Sequence, residues 1–182
     1  FAIGLGALIK GPVTPMVAGL AVLVLVIWER KANWLKPLLF WPGPLLAIAM
    51  VLPWLISIQI ATDGGFLRQA IGDDMAPKLV GAAERHGGLF GYHLLLAPLL
   101  FFPASLTVIP GLGYLTSALR GRTGEKTASA ARFLLAWAVP VWLVFELLPT
   151  KLPHYVLPAY PALALIAGWG LMQLTAAAAW QK

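Results

Sequence analysis

The stretch TDGGFLRQAIGDDMAPKLVGAAERHGGLFGYH, residues 62–93, is the only long polar passage between the apolar segments of this chain. Charges of both signs are interleaved along it, and glycines flank a short helical pattern, FLRQAI. A solvated linker is usually rich in Ser, Pro or one sign of charge, whereas long ordered loops in compact proteins are usually functional. We therefore predict that residues 62–93 form an ordered candidate active-site loop. A simple connection between two spans stays open as the alternative.

The composition of the chain is that of a membrane protein. Hydrophobic residues make up 60% and charged residues only 11%, far from the balance of a soluble domain. The formal charge is +6, but the basic residues lie in short loops beside apolar segments, so we expect no nucleic-acid partner. The absence of cysteine excludes disulfides and thiolate metal sites. Because the first residues lie inside an apolar run, we expect the chain to be the C-terminal part of a longer membrane domain.

Apolar segments recur along the whole chain, which predicts one all-α polytopic transmembrane domain over residues 1–182. A partial first helix over residues 1–9 should end at Lys10-Gly11-Pro12, because glycine and proline interrupt helices. About five spans follow, bent where prolines fall inside them. The predicted spans are 13–28, 37–61, 92–119, 133–148 and 155–174.

The basic residues of two loops set the expected orientation. Loops 29–36 and 120–132 carry seven Lys or Arg residues against two Glu residues, so both should be cytoplasmic. Alternation then places Lys10, loop 62–93 and residues 149–155 on the extracytoplasmic side. The sequence therefore predicts that three separate polar elements converge on one membrane face.

A second polar element is LPTKLPHYVLPAYP, residues 148–161. Pro153 suits the first position of a helix, where its missing N–H is no loss. His154 and Tyr155 would then lie in the first turn with Lys151 just ahead, an arrangement that attracts phosphate or another anion. In the alternative interpretation, Lys151 reaches the lipid headgroups and Tyr155 is an interfacial anchor.

The same two interpretations apply to Lys10. Gly11 and Pro12 beside it indicate a shaped turn that allows a ligand to approach closely. A lysine at the end of a helix can equally extend to the membrane surface.

Several acidic residues and one histidine are candidates for chemistry. Glu84 and His86 have a spacing that could supply two ligands to a divalent metal, and a simple hydrogen-bonded pair is the alternative. Asp73 and Asp74 are adjacent, and one of them could act as a base or only cap a helix.

Glu146 lies near the end of an apolar segment, and an intramembrane carboxylate is a functional candidate. Lys151 is its obvious partner.

Three stretches together resemble the bacterial membrane glycosyltransferases of family 39, and the resemblance covers nearly the whole chain. They are LIKGP at residues 8–12, residues 53–88, and KLPHYVLPAYPALAL at residues 151–165, the most specific of the three. Such enzymes are similar to the lipid A aminoarabinose transferase and, more distantly, to protein O-mannosyltransferases. The resemblance implies the GT-C architecture, with active-site loops on the extracytoplasmic face of the bacterial inner membrane. It also implies a polyprenyl-phosphate sugar donor and a lipid or protein acceptor.

The implied reaction would require cationic residues near the donor phosphate. When the sugar leaves, the lipid phosphate gains negative charge, which a cation stabilises more in the transition state than in the ground state. The expected donor-phosphate residues are Lys10, Lys151, His154 and Tyr155.

A carboxylate must also take the proton of the acceptor hydroxyl. In the family this residue lies upstream of the part that this chain matches, so the base is not assigned. Asp73, Asp74 and Glu84 remain weak candidates, and we expect the chain alone to be inactive.

Two other functional classes remain open from the sequence. A transporter or lipid flippase would also bring charged groups to kinked helices, but such proteins place their sites at the bilayer midplane and often contain paired repeats. A noncatalytic membrane subunit would leave the loop charges without a chemical role. The location of the charges at one predicted face favours the transferase.

Overall fold

A computed structural model of the chain describes residues 1–75 and 89–179. The regular structure in both ranges is helical, which confirms the predicted all-α class. The chain divides into two compact units, Phe1–Gly87 and Gly88–Lys182.

Within residues 1–75, the first unit contains four α-helices, α1 to α4, a 3₁₀ helix and a short π-helix. In chain order these are α1 (Ala2–Lys10), α2 (Val13–Glu29), the 3₁₀ helix (Asn33–Leu39), α3 (Pro42–Ala61), α4 (Gly65–Arg68) and the π-helix (Gln69–Met75).

Helix α1 packs against both α2 and α3. Small residues allow this close approach: a Cβ atom on Gly4 would lie 3.0 Å from the Cα of Ala47, and one on Gly6 would lie 2.5 Å from the side chain of Thr14. Gly11, with φ 60°, ends α1, which confirms the predicted break after Lys10.

The second unit, as described over residues 89–179, contains four α-helices and another 3₁₀ helix. In chain order these are α5 (Tyr92–Leu100), α6 (Ser105–Leu119), α7 (Glu125–Leu147), the 3₁₀ helix (Pro153–Ala159) and α8 (Tyr160–Ala179).

The core of the second unit forms where α6, α7 and α8 pack together. Helices α6 and α8 are in closest contact: a Cβ atom on Gly111 would lie 1.9 Å from the carbonyl oxygen of Ile166, and one on Gly170 would lie 1.9 Å from that of Thr107. Only glycine fits at these two crossing points. The largest side chains that are fully buried in this unit are Leu115, Ile166, His93, Val141 and Val156.

The length and hydropathy of the helices are those of a multi-pass membrane protein. Three helical segments, Pro42–Ala61, Glu125–Leu147 and Pro153–Ala177, are long and apolar enough to cross a bilayer. Helices α5 and α6 meet the same criteria only as a pair, bent by 113°. Helix α2 is also apolar, but its 17 residues make it shorter than these three segments. Every predicted span therefore contains a helix, and three of the five have full spanning length.

Two boundaries differ from those that the sequence predicts. Helix α7 begins at Glu125 rather than at Phe133, so the second basic loop is shorter than residues 120–132. No glycine or proline lies between residues 125 and 133, and Glu125 stabilises the first turn through its charge. The 3₁₀ helix Asn33–Leu39 runs from the first basic loop past Pro37, so α3 begins at Pro42 rather than at the predicted span start, residue 37.

Candidate functional site

A buried polar cluster lies at the end of α7 in the second unit. It centres on Glu146, which is only 4% exposed and lies one residue before the end of its helix. Its carboxylate accepts hydrogen bonds from the backbone N–H of Gly91 at 2.8 Å and from that of His93 at 3.3 Å. These N–H groups belong to the start of α5, where no intrahelical carbonyl is available to them. Glu146 therefore caps α5, and its negative charge is favourable at that helix terminus.

Lys151 closes the other side of the cluster. Its side chain is 4% exposed, and its Nζ atom lies 3.5 Å from Oε1 of Glu146. The ammonium also donates to the carbonyl oxygen of Glu146 and, at 3.3 Å, to that of Leu148. These carbonyls lie at the C-terminal end of α7, where a cation complements the helix dipole. Lys151 therefore points into the protein, as its predicted pairing with Glu146 requires, and not toward lipid headgroups.

His93 joins this cluster to the segment that follows it. The Nδ1 atom of His93 lies 2.9 Å from Oε2 of Glu146, and Nε2 lies 3.1 Å from the carbonyl oxygen of Leu152. His93 is 1% exposed. The imidazole thus connects α5, α7 and the residue immediately before the 3₁₀ helix.

The 3₁₀ helix begins at Pro153, as the sequence predicts. His154 is exposed, and its ring lies 5.1 Å from that of Tyr155 in an edge-on arrangement. The half-buried Tyr155 ring also packs at 5.6 Å from Phe145 of α7. The helix start therefore presents His154 at the surface, three residues after Lys151 of the buried cluster, while the Tyr155 ring packs into the protein.

Lys10 lies in the first unit as the last residue of α1 and is exposed. Gly11 beside it has open space where a side chain would be, so the turn is accessible. The predicted convergence of Lys10 with the Lys151 segment joins residues of two different units and stays a prediction.

The first part of loop 62–93 is ordered by its own hydrogen bonds. The Gln59 side chain donates to the Gly64 carbonyl at 2.8 Å and accepts from the Leu67 N–H at 3.2 Å. The Thr62 hydroxyl accepts from the Phe66 N–H at 3.0 Å. These contacts set the turn that leads from α3 into α4.

The acidic candidates of this loop have different locations. Asp73 is exposed in the π-helix, and Asp74 follows it in the same helix. Glu84 and His86 lie outside the described residues, so the metal prediction stays a prediction. Within residues 1–75 and 89–179, no group of three or more His, Cys, Asp or Glu side chains could hold a metal ion.

Comparison with curated proteins gives matches along almost the whole chain. The transferase named undecaprenyl phosphate-alpha-4-amino-4-deoxy-L-arabinose arabinosyl transferase from Edwardsiella ictaluri is 31% identical over 176 residues, 96% of this chain and 30% of that protein. Its namesake from Erwinia tasmaniensis is 32% identical over 91% of this chain and 28% of that protein. A third, from Pseudomonas aeruginosa strain PAO1, is 29% identical over 94% of this chain.

This chain is similar to the arabinosyl transferases along almost its whole length. The similarity confirms the resemblance that the sequence motifs indicate, and with it the GT-C type of helical membrane domain. The chain spans about 30% of the length of the curated transferases that it matches. No family model matches the chain. No solved structure matches it either.

His93 is the site residue that the sequence did not single out. In the sequence His93 is simply the last residue of loop 62–93, whereas in the structure it lies in the first turn of α5. One signal was available: Glu146 is an intramembrane carboxylate, and such a group needs several donors, more than Lys151 alone supplies. A histidine at the polar start of another apolar segment was a candidate for the second donor.

Proposed function

We propose that this chain is part of a membrane glycosyltransferase that moves a sugar from a polyprenyl-phosphate donor to a lipid or protein acceptor. The reaction takes place on the extracytoplasmic face of the bacterial inner membrane. The observation that carries the proposal is the similarity to arabinosyl transferases along 96% of the chain. The printed name of those relatives indicates undecaprenyl phosphate-aminoarabinose as the donor, and lipid A is the acceptor that we propose first.

The chemistry of this transfer needs a cationic environment. The acceptor hydroxyl attacks the anomeric carbon, the bond from that carbon to the phosphate oxygen breaks, and polyprenyl phosphate leaves with an additional negative charge. A base takes the hydroxyl proton. Groups that stabilise the departing phosphate therefore accelerate the reaction more than they strengthen donor binding.

The second unit supplies a suitable arrangement for this charge. The exposed His154 and the half-buried Tyr155 lie just after the buried Lys151 in the chain, separated from it by Leu152 and Pro153. Because the Lys151 ammonium already donates to two carbonyl oxygens, in this conformation it would act on the phosphate through its charge rather than by direct contact. Lys10, which is exposed, is the lysine that we propose for a direct phosphate contact.

The base and any metal are further parts of the proposal. We place the base upstream of the matched segment, with Asp73, Asp74 and Glu84 as weaker candidates within this chain. Glu84 and His86 would contribute ligands to a divalent metal that neutralises the phosphate charge. Such a metal would need additional ligands from other parts of the protein.

The experiment that tests the proposal is a transfer assay with the full-length protein in membranes. A radiolabelled polyprenyl-phosphate sugar is supplied together with lipid A, and the label is followed into the lipid A fraction. Membranes without the protein are the control. Protein-dependent labelling supports the function, and label that stays on the polyprenyl donor with every acceptor supplied would contradict it.

A further inference from the structure

The two ring nitrogens of His93 both face oxygen atoms. Nε2 lies 3.1 Å from the Leu152 carbonyl oxygen, which can only accept a hydrogen bond, so Nε2 carries a proton. Nδ1 lies 2.9 Å from Oε2 of Glu146, and a proton must lie between these two atoms as well. Without it, two lone pairs would face each other in a buried site. The imidazole and the carboxylate therefore hold two protons between them.

This proton count fixes the charge of the cluster. The His93–Glu146 pair with two protons is neutral overall, whichever of the two atoms the shared proton is closer to. The ammonium of Lys151 then gives the buried cluster a net charge of plus one. All three side chains are at least nine-tenths buried, so water screens this charge weakly.

The cluster also links α5 and α7 to the residue that precedes the 3₁₀ helix. The His93 ring is held on one side by the carboxylate that caps α5, and on the other it donates to Leu152. Leu152 is the last residue before the 3₁₀ helix and itself accepts from the Tyr155 N–H at 3.0 Å. One carbonyl oxygen thus receives both the imidazole and the first turn of that helix. The Leu152 carbonyl therefore links His93 to the turn that carries His154 and Tyr155.

We propose that His93 is a positioning residue for the donor site: its Nε2–H fixes the Leu152 carbonyl, and thereby the turn that presents His154 and Tyr155 to the donor phosphate. This inference rests on the proposed function for the identity of the ligand. The positioning of the turn is a property of the protein without ligand. The two parts can be tested separately.

Two amide variants separate the two hydrogen bonds of the ring. In His93→Gln the side-chain amide reaches the position of Nε2 and can still donate to Leu152. In His93→Asn the shorter amide occupies the position of Nδ1 and can donate only to Glu146. His93→Leu removes both ring nitrogens and replaces the imidazole with an apolar side chain of similar size. If the Leu152 contact is the one that positions the turn, the Gln variant should retain function and the Asn variant should not.

The first measurement is amide hydrogen exchange of residues 150–156 in the full-length protein without donor. Exchange of this segment should be about tenfold faster in the Leu and Asn variants than in the wild type and close to wild type in the Gln variant. Exchange in the middle of α6, around Leu115, should not change in any variant and reports that the fold is intact. Equal exchange of residues 150–156 in all four proteins would overturn the positioning role.

The second measurement is steady-state transfer with donor and acceptor varied in turn. The donor KM should rise about tenfold in the Asn and Leu variants, whereas the acceptor KM should stay within about twofold of wild type. The Gln variant should restore the donor KM. Equal changes in both KM values would indicate a general structural defect and would overturn the proposal. Faster exchange with an unchanged donor KM would overturn the location of the donor phosphate at His154 and Tyr155, while the positioning of the turn would stand.

Discussion

His93 and Glu146 are 53 residues apart in the sequence, and their side chains meet at 2.9 Å inside the second unit. The contact joins the start of α5 to the end of α7, two helix ends that each leave backbone groups without helical partners. Glu146 satisfies N–H groups of one helix, and Lys151 satisfies carbonyls of the other. The cluster therefore organises the segment in which the sequence motif most specific for the transferases lies.

Replacing Lys151 by Ala should affect both stability and transfer. The change leaves the carbonyl oxygens of Glu146 and Leu148 without the ammonium that donates to them, and an unsatisfied buried acceptor costs about 1–3 kcal/mol of folding free energy. Transfer should fall about tenfold or more, because the cluster also loses its positive charge. Thermal unfolding and the transfer assay measure the two effects. The matched control Lys126→Ala, an exposed lysine at the start of α7, should change neither, and a fully stable Lys151→Ala protein would contradict the contacts described here.

Replacing Lys10 by Ala should lower transfer without lowering stability. Lys10 is exposed at the end of α1 and can lose its charge without leaving a buried partner unpaired. A charge-assisted contact is worth about 1.5–3 kcal/mol, so the transfer rate should fall about tenfold or more. Lys10→Arg should restore only part of it, because a planar guanidinium differs in shape from an ammonium. Normal transfer by the Ala variant, at equal protein abundance, would remove Lys10 from the donor site.

Two glycines should be irreplaceable where α6 crosses α8. In Gly111→Ala the added Cβ atom would lie 1.9 Å from the Ile166 carbonyl oxygen, so the two backbones must separate. We expect a loss of about 1–3 kcal/mol in the free energy of unfolding. Gly113→Ala in the same helix meets nothing within 4 Å and should be neutral or stabilising. Thermal denaturation of the detergent-solubilised variants compares the two, and equal midpoints would contradict the close crossing.

The orientation can be tested by thiol labelling, since the chain contains no native cysteine. Cysteines at Gly64 and at Gly87 should react with an impermeant reagent added outside intact cells, and one at Ser129 should react only after the membrane is opened. Gly64 and Ser129 are both exposed on the protein surface, so burial does not bias their comparison. Labelling of Ser129 alone in intact cells would reverse the orientation.

The metal prediction concerns Glu84 and His86. Removal of divalent ions by a chelator should abolish transfer, and an added divalent ion should restore it. The purified protein should contain metal, and Glu84→Gln or His86→Ala should lower its content. Full activity in chelator, with no metal in the purified protein, would leave these two residues as a hydrogen-bonded pair.

The sequence predicted those parts of the site that depend on neighbouring residues. Glu146 and Lys151 are close in the chain and oppositely charged, and Pro153 carries a local signal for a helix start, so both features were predictable. His93 is far from its partners in sequence, and no local pattern reports a contact formed by tertiary packing. The inward direction of Lys151 depends on the same packing. The polarity of residues 125–132 does not reveal the start of α7, because an exposed helix turn is as polar as a loop.

The most direct test of the central claim follows the phosphate rather than the sugar. Full-length protein is reconstituted in lipid nanodiscs with a polyprenyl-phosphate sugar and lipid A, and free polyprenyl phosphate is measured over time. A glycosyltransferase breaks the bond between the sugar and the phosphate, so polyprenyl phosphate should accumulate in equal amount to the glycosylated acceptor. A transporter or flippase moves the donor and leaves that bond intact. Intact donor after prolonged incubation with the wild-type protein would contradict the transferase account.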